Sequence, residues 1–332
     1  KGQIKSLVAI NDLGDAVSLA HLLTYDSNYG HIGVEVSGEN FTSLADPDGP
    51  SGILTVDGHD IHVFAQKDPV KLPWADLKID VVIESTGKFT DAAGAGLHLT
   101  AGAKRVVISA PAKDPEIKTL VMGINQLEIR QKDLIISNAS CTTNCIAPVA
   151  AIIAEHFGIR KAMMTTIHSY TADQNLQDGP HKDLRRARAA AVNIVPTSTG
   201  ATLAAAEVVV ELKELFAGLA IRVPVAVGSL SDFTFVLKKK TTVEAVNQVL
   251  TKASQHKNWR GILSVTQAPI VSSDIIGDTH SAIIDLSLTA LVDGDLLKVV
   301  AWYDNEFGYS NRLIEAATLI SHLYVKIKFR EW

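Results

Sequence analysis

Short apolar runs alternate with amphipathic stretches through the first 140 residues, and that alternation constrains the fold more than any other feature of the chain. The runs at 7–10, 81–83, 106–108 and 134–136 are apolar at successive positions, so both faces of each strand need cover. Amphipathic segments such as 92–101 supply helices to cover them. The expected architecture is α/β, a Rossmann-like doubly wound parallel sheet. Inserted in it, 53–56 and 59–64 flank Asp57-Gly58, a dipeptide suited to a type I′ hairpin, and 45–52 is a Pro/Gly/Asp loop.

After residue 140 the texture changes. A long helix is expected over 141–157, with Pro148 implying either a kink or a later start. A strand at 162–167 and a polar, basic segment from 168 to 188 follow. The runs at 219–227, 232–237, 281–288 and 297–303, with a helix at 243–253, point to an α+β domain built on a mixed or antiparallel sheet. At 332 residues the chain has room for two domains, placed at 1–140 plus 304–332 and at 141–303.

Composition narrows the function. With 47% hydrophobic and 20% charged residues the chain is a folded protein, and no stretch of about 18 uncharged apolar residues spans a membrane. The 31 basic and 36 acidic side chains give a net charge of −5, which offers no general attraction to nucleic acid or anionic lipid. Two cysteines, Cys141 and Cys145, are too few for a disulfide framework or a cysteine zinc site and fit a reducing, cytoplasmic setting. The histidines show no HExxH or comparable spacing, so no metal is expected.

The segment from Ser137 to Cys145 (SNASCTTNC) carries the strongest chemical signal. A strand ends at Ile136, Asn138 or Ser140 can cap a helix, and Cys141 opens it. A thiol there feels the positive end of the helix dipole, which lowers its pKa, so Cys141 reads as a nucleophile or else as a small buried cysteine. Cys145, one turn on, faces the core. His168 ends the next strand. If the strands on either side of the helix share one sheet, a right-handed crossover brings Cys141 and His168 to the same edge; otherwise His168 is an ordinary strand-end histidine.

Thr171, and Thr197 to Gly200 ahead of a helical stretch at 201–212, read as phosphate-binding hydroxyls or as simple caps. The basic run 181–188 reads as a polyanion site or a solvated or interface segment. Asp12 holds the position of a ribose-binding acid or of a turn residue. The usual glycine-rich loop stands about 20 residues earlier, whereas eleven residues precede Asp12. Gly94-Ala95-Gly96 lies in a helical pattern and is not that loop.

With SNASCTTNC, His168-Ser169-Tyr170-Thr171 and the run from Trp302 to Ser310 (WYDNEFGYS) together, the chain resembles the phosphorylating glyceraldehyde-3-phosphate dehydrogenases from about residue 7 to about 320. The resemblance implies a glycolytic oxidoreductase in which Cys141 forms a thiohemiacetal and then a thioester, with His168 as general base. It implies substrate phosphate at Thr171 and Arg222, and inorganic phosphate at Ser140, Thr142, Thr199 and Gly200. NAD would be held by Asp12, Thr86, Gly87, Ser109, Asn305 and Tyr309. Asp12 and Pro180 match users of NAD rather than NADP. A homotetramer is implied, with the segment around 171–188 between subunits.

Erythrose-4-phosphate dehydrogenases share the cysteine motif but usually lack Tyr-Thr after the base, so Tyr170-Thr171 points to the triose. A catalytically defective paralogue acting in assembly or binding is the other alternative. The family's first strand and glycine-rich loop are missing ahead of Asp12, so the chain as written is expected to bind NAD poorly. Lys67, Phe307 and Val225 to Gly228 are smaller departures. The tail 323–332 has strand-like alternation and is a candidate to pair where the missing strand would lie.

Overall fold

The computed structural model describes residues 6–41 and 48–325, with side chains to residue 323. Part of the 45–52 loop and residues 326–332 of the tail lie outside the described residues; 323–325, expected to be strand-like, instead continue the Phe307–Val325 helix. The chain divides into two units, Lys1–Val106 and Val107–Trp332.

In the first unit four strands lie in the order Ala9–Asn11, His59–Phe64, Gly52–Val56 and Val36–Asn40. The first pair is parallel, with Ala9 opposite His62; the others are antiparallel. The hairpin forms at Asp57 (φ 51°) and Gly58 (φ 73°), and the two left-handed residues are what a type I′ turn requires. Alternation puts Leu54, Val56, Ile61 and Val63 on one face, against Ala16 and Ala20 of the Ala16–Thr24 helix. That helix lies so close that a Cβ on Gly38 would meet Ala16 O at 2.2 Å, so only glycine fits there. Asp15 caps the helix by accepting from Ser18 N–H (3.0 Å).

The 7–10 run forms its strand slightly later, at Ala9–Asn11, and is only half-buried, with Leu7 39% exposed. The Ala92–Thr100 helix takes in Gly94 and Gly96, as the pattern implied, with Asp91 accepting from Gly94 N–H (2.7 Å) at its start.

The second unit is built on an eight-stranded mixed sheet. Its order is Val195–Thr197, Phe216–Val223, Ile159–Ser169, Ser229–Leu237, Leu296–Tyr303, Ala282–Asp285 and Leu263–Thr266, with Ala290–Val292 paired beside Leu296–Tyr303. The Cys141–Phe157 helix packs on this sheet; Ile146, Val149, Ile153, Phe233, Phe235 and Val299 are fully buried in the shared core. Each contributes about 1.5–3 kcal/mol by leaving water. The helix starts at Cys141 and continues through Pro148 to Phe157, which settles the alternatives posed by that proline in favour of the early start.

The crossover premise needs correction. Ile135–Ser137 pairs in parallel with Lys118–Thr119, whereas Ile159–Ser169 belongs to the large sheet between Phe216–Val223 and Ser229–Leu237. The helix carries the chain from one sheet to another. Boundaries elsewhere shift for local reasons. The 219–227 strand runs Phe216–Val223 and stops at Pro224, which has no N–H to pair. The 281–288 strand ends at Asp285, whose carboxylate accepts from Ser287 N–H (3.2 Å) and turns the chain. The 201–212 helix ends at Val208 and is followed by one tight turn, Val210–Leu212.

Candidate active site

The second unit brings Cys141, His168 and Arg222 together through two separate pieces of local structure. Ala139 takes a left-handed φ of 54° while fully buried, an unusual conformation for a residue with a Cβ, and so turns the chain out of its strand into the helix. Ser140 then caps the helix, its hydroxyl accepting from Thr143 N–H (3.1 Å), and Cys141 is the first helical residue. His168 and Arg222 are register partners on adjacent parallel strands, so they share one edge of the large sheet.

Cys141 Sγ lies 3.4 Å from His168 Nε2. On the other side of the ring, Nδ1 is 2.7 Å from Ser169 O and 2.9 Å from Arg222 Nη1. Ser169 O can only accept and Arg222 Nη1–H can only donate, so the two compete for Nδ1; the shorter contact is to Ser169 O, and Arg222 Nη1–H already donates to that oxygen (3.0 Å), which places the ring proton on Nδ1. This assignment, made from the hydrogen-bond pattern, leaves the Nε2 lone pair facing the thiol.

Burial and then the Arg222 charge push the imidazole pKa down to about 3, so the ring is neutral at physiological pH. Burial pushes the Cys141 thiol up, against the pull of Arg222. The sequence expectation is a lowered thiol pKa; burial at this helix start works the other way, against the helix dipole and the Arg222 charge, beside a neutral imidazole. Cys145 is fully buried in the apolar core, as its spacing implied, and burial raises its thiol pKa strongly.

Arg222 makes no ion pair among the described residues, and its Nε is buried without a partner. A cation left that way is a site for an anion. Thr171, half-buried, lies two residues past the strand that ends at Ser169, and Gln174 N–H donates to its carbonyl (2.9 Å). Thr199 Oγ1 accepts from Ala201 N–H (3.2 Å), leaving its own proton to donate, and Gly200 is exposed at the helix start. Ser140 and Thr142 are turned inward: Ser140 serves as cap, and Thr142 Oγ1 pairs with Tyr303 Oη (2.9 Å).

Tyr303 escaped the sequence reading as a site residue. Its hydroxyl joins Thr142 and Thr166 (2.8 Å), and its ring meets His168 edge-on at 5.9 Å. Its place in the WYDNEFGYS run, on the buried phase of a strand, was the available signal. Arg186, read only as part of a basic run, is ion-paired with Asp173 and Asp183, and Arg188 with Asp178 (2.8 Å). These guanidinium groups are engaged internally.

Asn305 Oδ1 accepts from Ser169 Oγ (2.9 Å), Gly228 N–H (3.1 Å) and Ser229 Oγ (2.9 Å). Its orientation is thus fixed, with the amide NH₂ left to donate. Tyr309 Oη donates to Ala139 O (3.2 Å). In the first unit, Asp12 Oδ1 accepts from Gly14 N–H (2.7 Å) at the end of its strand, and Thr86 and Gly87 (φ 71°) form an exposed turn after Val81–Glu84.

The model of the glyceraldehyde 3-phosphate dehydrogenase C-terminal domain matches residues 140–305, and that of the NAD binding domain matches residues 2–92. The chain belongs to the glyceraldehyde-3-phosphate dehydrogenase family. It is 49% identical over 317 residues to the glyceraldehyde-3-phosphate dehydrogenase of Streptomyces coelicolor, spanning 95% of this chain and 91% of the relative. The enzyme of the same name from Mycolicibacterium smegmatis is 52% identical over 314 residues (95% and 89%), and that from Borreliella burgdorferi 50% over 317 (94% and 91%). The chain therefore has the family's α/β architecture, a Rossmann NAD-binding domain with a catalytic C-terminal domain, and it is an NAD-dependent oxidoreductase. The residues fit that cofactor: Asn305 offers a fixed amide donor, and Asp12 a carboxylate at a strand end.

Proposed function

We propose that the chain oxidises and phosphorylates glyceraldehyde 3-phosphate to 1,3-bisphosphoglycerate, with Cys141 as nucleophile and His168 as base. The observation that carries this reading is the 3.4 Å contact between Sγ and a neutral imidazole whose free nitrogen faces it. As Sγ bonds to the aldehyde carbon, its proton passes to Nε2 and on to the carbonyl oxygen, giving a thiohemiacetal. His168 then takes the hydroxyl proton while the carbon loses hydride, leaving a thioester on Cys141. NAD, when bound, supplies the hydride acceptor. An oxygen of inorganic phosphate attacks the thioester, and the departing sulfur recovers its proton from His168.

Arg222 and Thr171 hold the substrate phosphate in this reading, supported by a guanidinium that makes no ion pair among the described residues and whose Nε is buried without a partner. Thr199 and Gly200 meet inorganic phosphate with a hydroxyl and a helix-start N–H, while Ser140 and Thr142 shape that site from behind. Asp12, Thr86, Gly87, Ser109, Asn305 and Tyr309 take NAD. The domains follow as 1–140 plus 304–332 for the nucleotide and 141–303 for catalysis, a division supported by the 140–305 span of the C-terminal match.

Assembly as a homotetramer is supported by large apolar side chains left outside between 176 and 203, with Leu184 81% and Val192 76% exposed. Two free thiols favour a reducing cytoplasm. No helix among the described residues is long and apolar enough to cross a membrane. The test is NADH formation by the native protein from glyceraldehyde 3-phosphate with and without inorganic phosphate. Phosphate-dependent turnover is expected; faster turnover of erythrose 4-phosphate, or none of either, would overturn the assignment.

A further inference from the structure

The first unit holds a second buried histidine. His98, from the Ala92–Thr100 helix, stacks on Trp74 (ring centroids 6.4 Å apart) and meets Phe89 edge-on at 6.3 Å. Both ring nitrogens are engaged. Trp74 Nε1 lies 3.1 Å from Nδ1, and Nε2 lies 2.9 Å from Glu84 Oε2. An indole N–H only donates, so Nδ1 accepts and the ring proton sits on Nε2, donated to Glu84. Trp74 therefore sets the direction of the whole series of hydrogen bonds.

Glu84 passes that direction on. Its Oε1 accepts from Thr86 N–H (2.8 Å) and from the Thr86 hydroxyl, whose oxygen in turn accepts from Lys88 N–H (3.1 Å). Three hydrogens converge on one buried side chain, which must accept at every point and is therefore a carboxylate. Burial alone would push its pKa up; the bonds from His98 and Thr86 outweigh that and hold it below the usual range. The next residue, Gly87, has φ 71°, so the turn is bent by glycine and clamped by Glu84.

We infer that His98 is a positioning residue for the cofactor: through Glu84 it holds the Thr86–Gly87 turn in the shape that receives NAD. The inference rests on the proposed role of Thr86 and Gly87. His98 itself touches neither NAD nor substrate. Packing alone does not account for the arrangement, since an apolar side chain would fill the space between Trp74 and Phe89 but leave Glu84 Oε2 without the donor that His98 supplies.

The test uses the full-length native protein, with Kd for NAD by titration and steady-state kinetics. His98→Leu is expected to raise Kd and KM for NAD about tenfold while kcat and KM for glyceraldehyde 3-phosphate stay within about twofold. His98→Gln, whose amide can donate to Glu84 and accept from Trp74, is expected to keep NAD affinity within about twofold of the parent. Unchanged NAD affinity in His98→Leu overturns the inference, as does a Gln variant as weak as the Leu variant.

If His98→Leu does not fold, Glu84→Gln decides. Either orientation of that amide sets a donor against a donor, at His98 or at Thr86 N–H, so NAD binding should weaken. Adding Trp74→Phe frees His98 to move its proton to Nδ1 and accept from the amide, so the double variant should recover affinity; no recovery overturns the inference. A parent protein that neither binds NAD nor turns over fails the dehydrogenase reading instead, and is distinguished by that result.

Discussion

His168 and His98 are both buried, both carry one ring proton, and both stand between a protein partner and a functional segment. They differ in what is left over. His168 uses Nδ1 on Ser169 O and turns a free lone pair to a thiol. His98 has a donor at one nitrogen and an acceptor at the other, so no valence remains for chemistry. Partner groups rather than burial decide whether a histidine is a base or a strut. A neighbouring cation, Arg222, further keeps His168 unprotonated, whereas a carboxylate fixes His98 in place.

Experiments that break the Cys141 side of this comparison should have the largest effects. Cys141→Ala is expected to remove acyl-enzyme formation and lower kcat by at least about 10³-fold, read by NADH production and by loss of the pre-steady-state burst. His168→Asn should lower kcat by about 10²–10⁴-fold with little change in Kd for NAD. An equal change in NAD affinity would place His168 in the cofactor site instead.

Arg222→Gln should lower kcat/KM for glyceraldehyde 3-phosphate by about 10²-fold and that for unphosphorylated glyceraldehyde much less. Equal losses would assign Arg222 to His168 rather than to the phosphate. On the His98 side, Trp74→Phe leaves Nδ1 buried without a donor and should cost about 1–3 kcal/mol in denaturant unfolding, while the thioester chemistry stays intact.

The smallest expected effect is on the pH dependence of stability. In the unfolded chain His168 takes a proton near about pH 6.5, but in the native site only near about 3. Between those values the unfolded state binds more protons, so stability should fall as the pH drops through that window. His168→Gln should flatten that slope in denaturant titrations at pH 7, 5.5 and 4. A slope unchanged by the substitution would remove His168 from the account.

Much of the site was legible because it sits in short contiguous runs. The helix start at Cys141 and the core position of Cys145 follow from local spacing, since helix geometry relates residues one turn apart, whereas the choice of Ser140 over Asn138 as cap came from the structure. The meeting of Cys141 with His168 was expected for a reason the structure corrects: the flanking strands lie in different sheets, and the contact comes instead from a helix start laid against the edge of the larger one. Tyr303 lies 161 residues from the Thr142 hydroxyl it binds, a separation across which no periodicity carries information.

The sequence by itself determined the α/β class, the hairpin at Asp57-Gly58, the helix opening on Cys141 and the family, because each depends on residues close together along the chain. Tertiary structure alone decided the protonation of the site. The dipole that favours a thiolate is local, but the burial that opposes it, and the Arg222 charge beside His168, come from strands brought together only by folding. The same holds for His98, whose proton is directed by an indole 24 residues away in the chain.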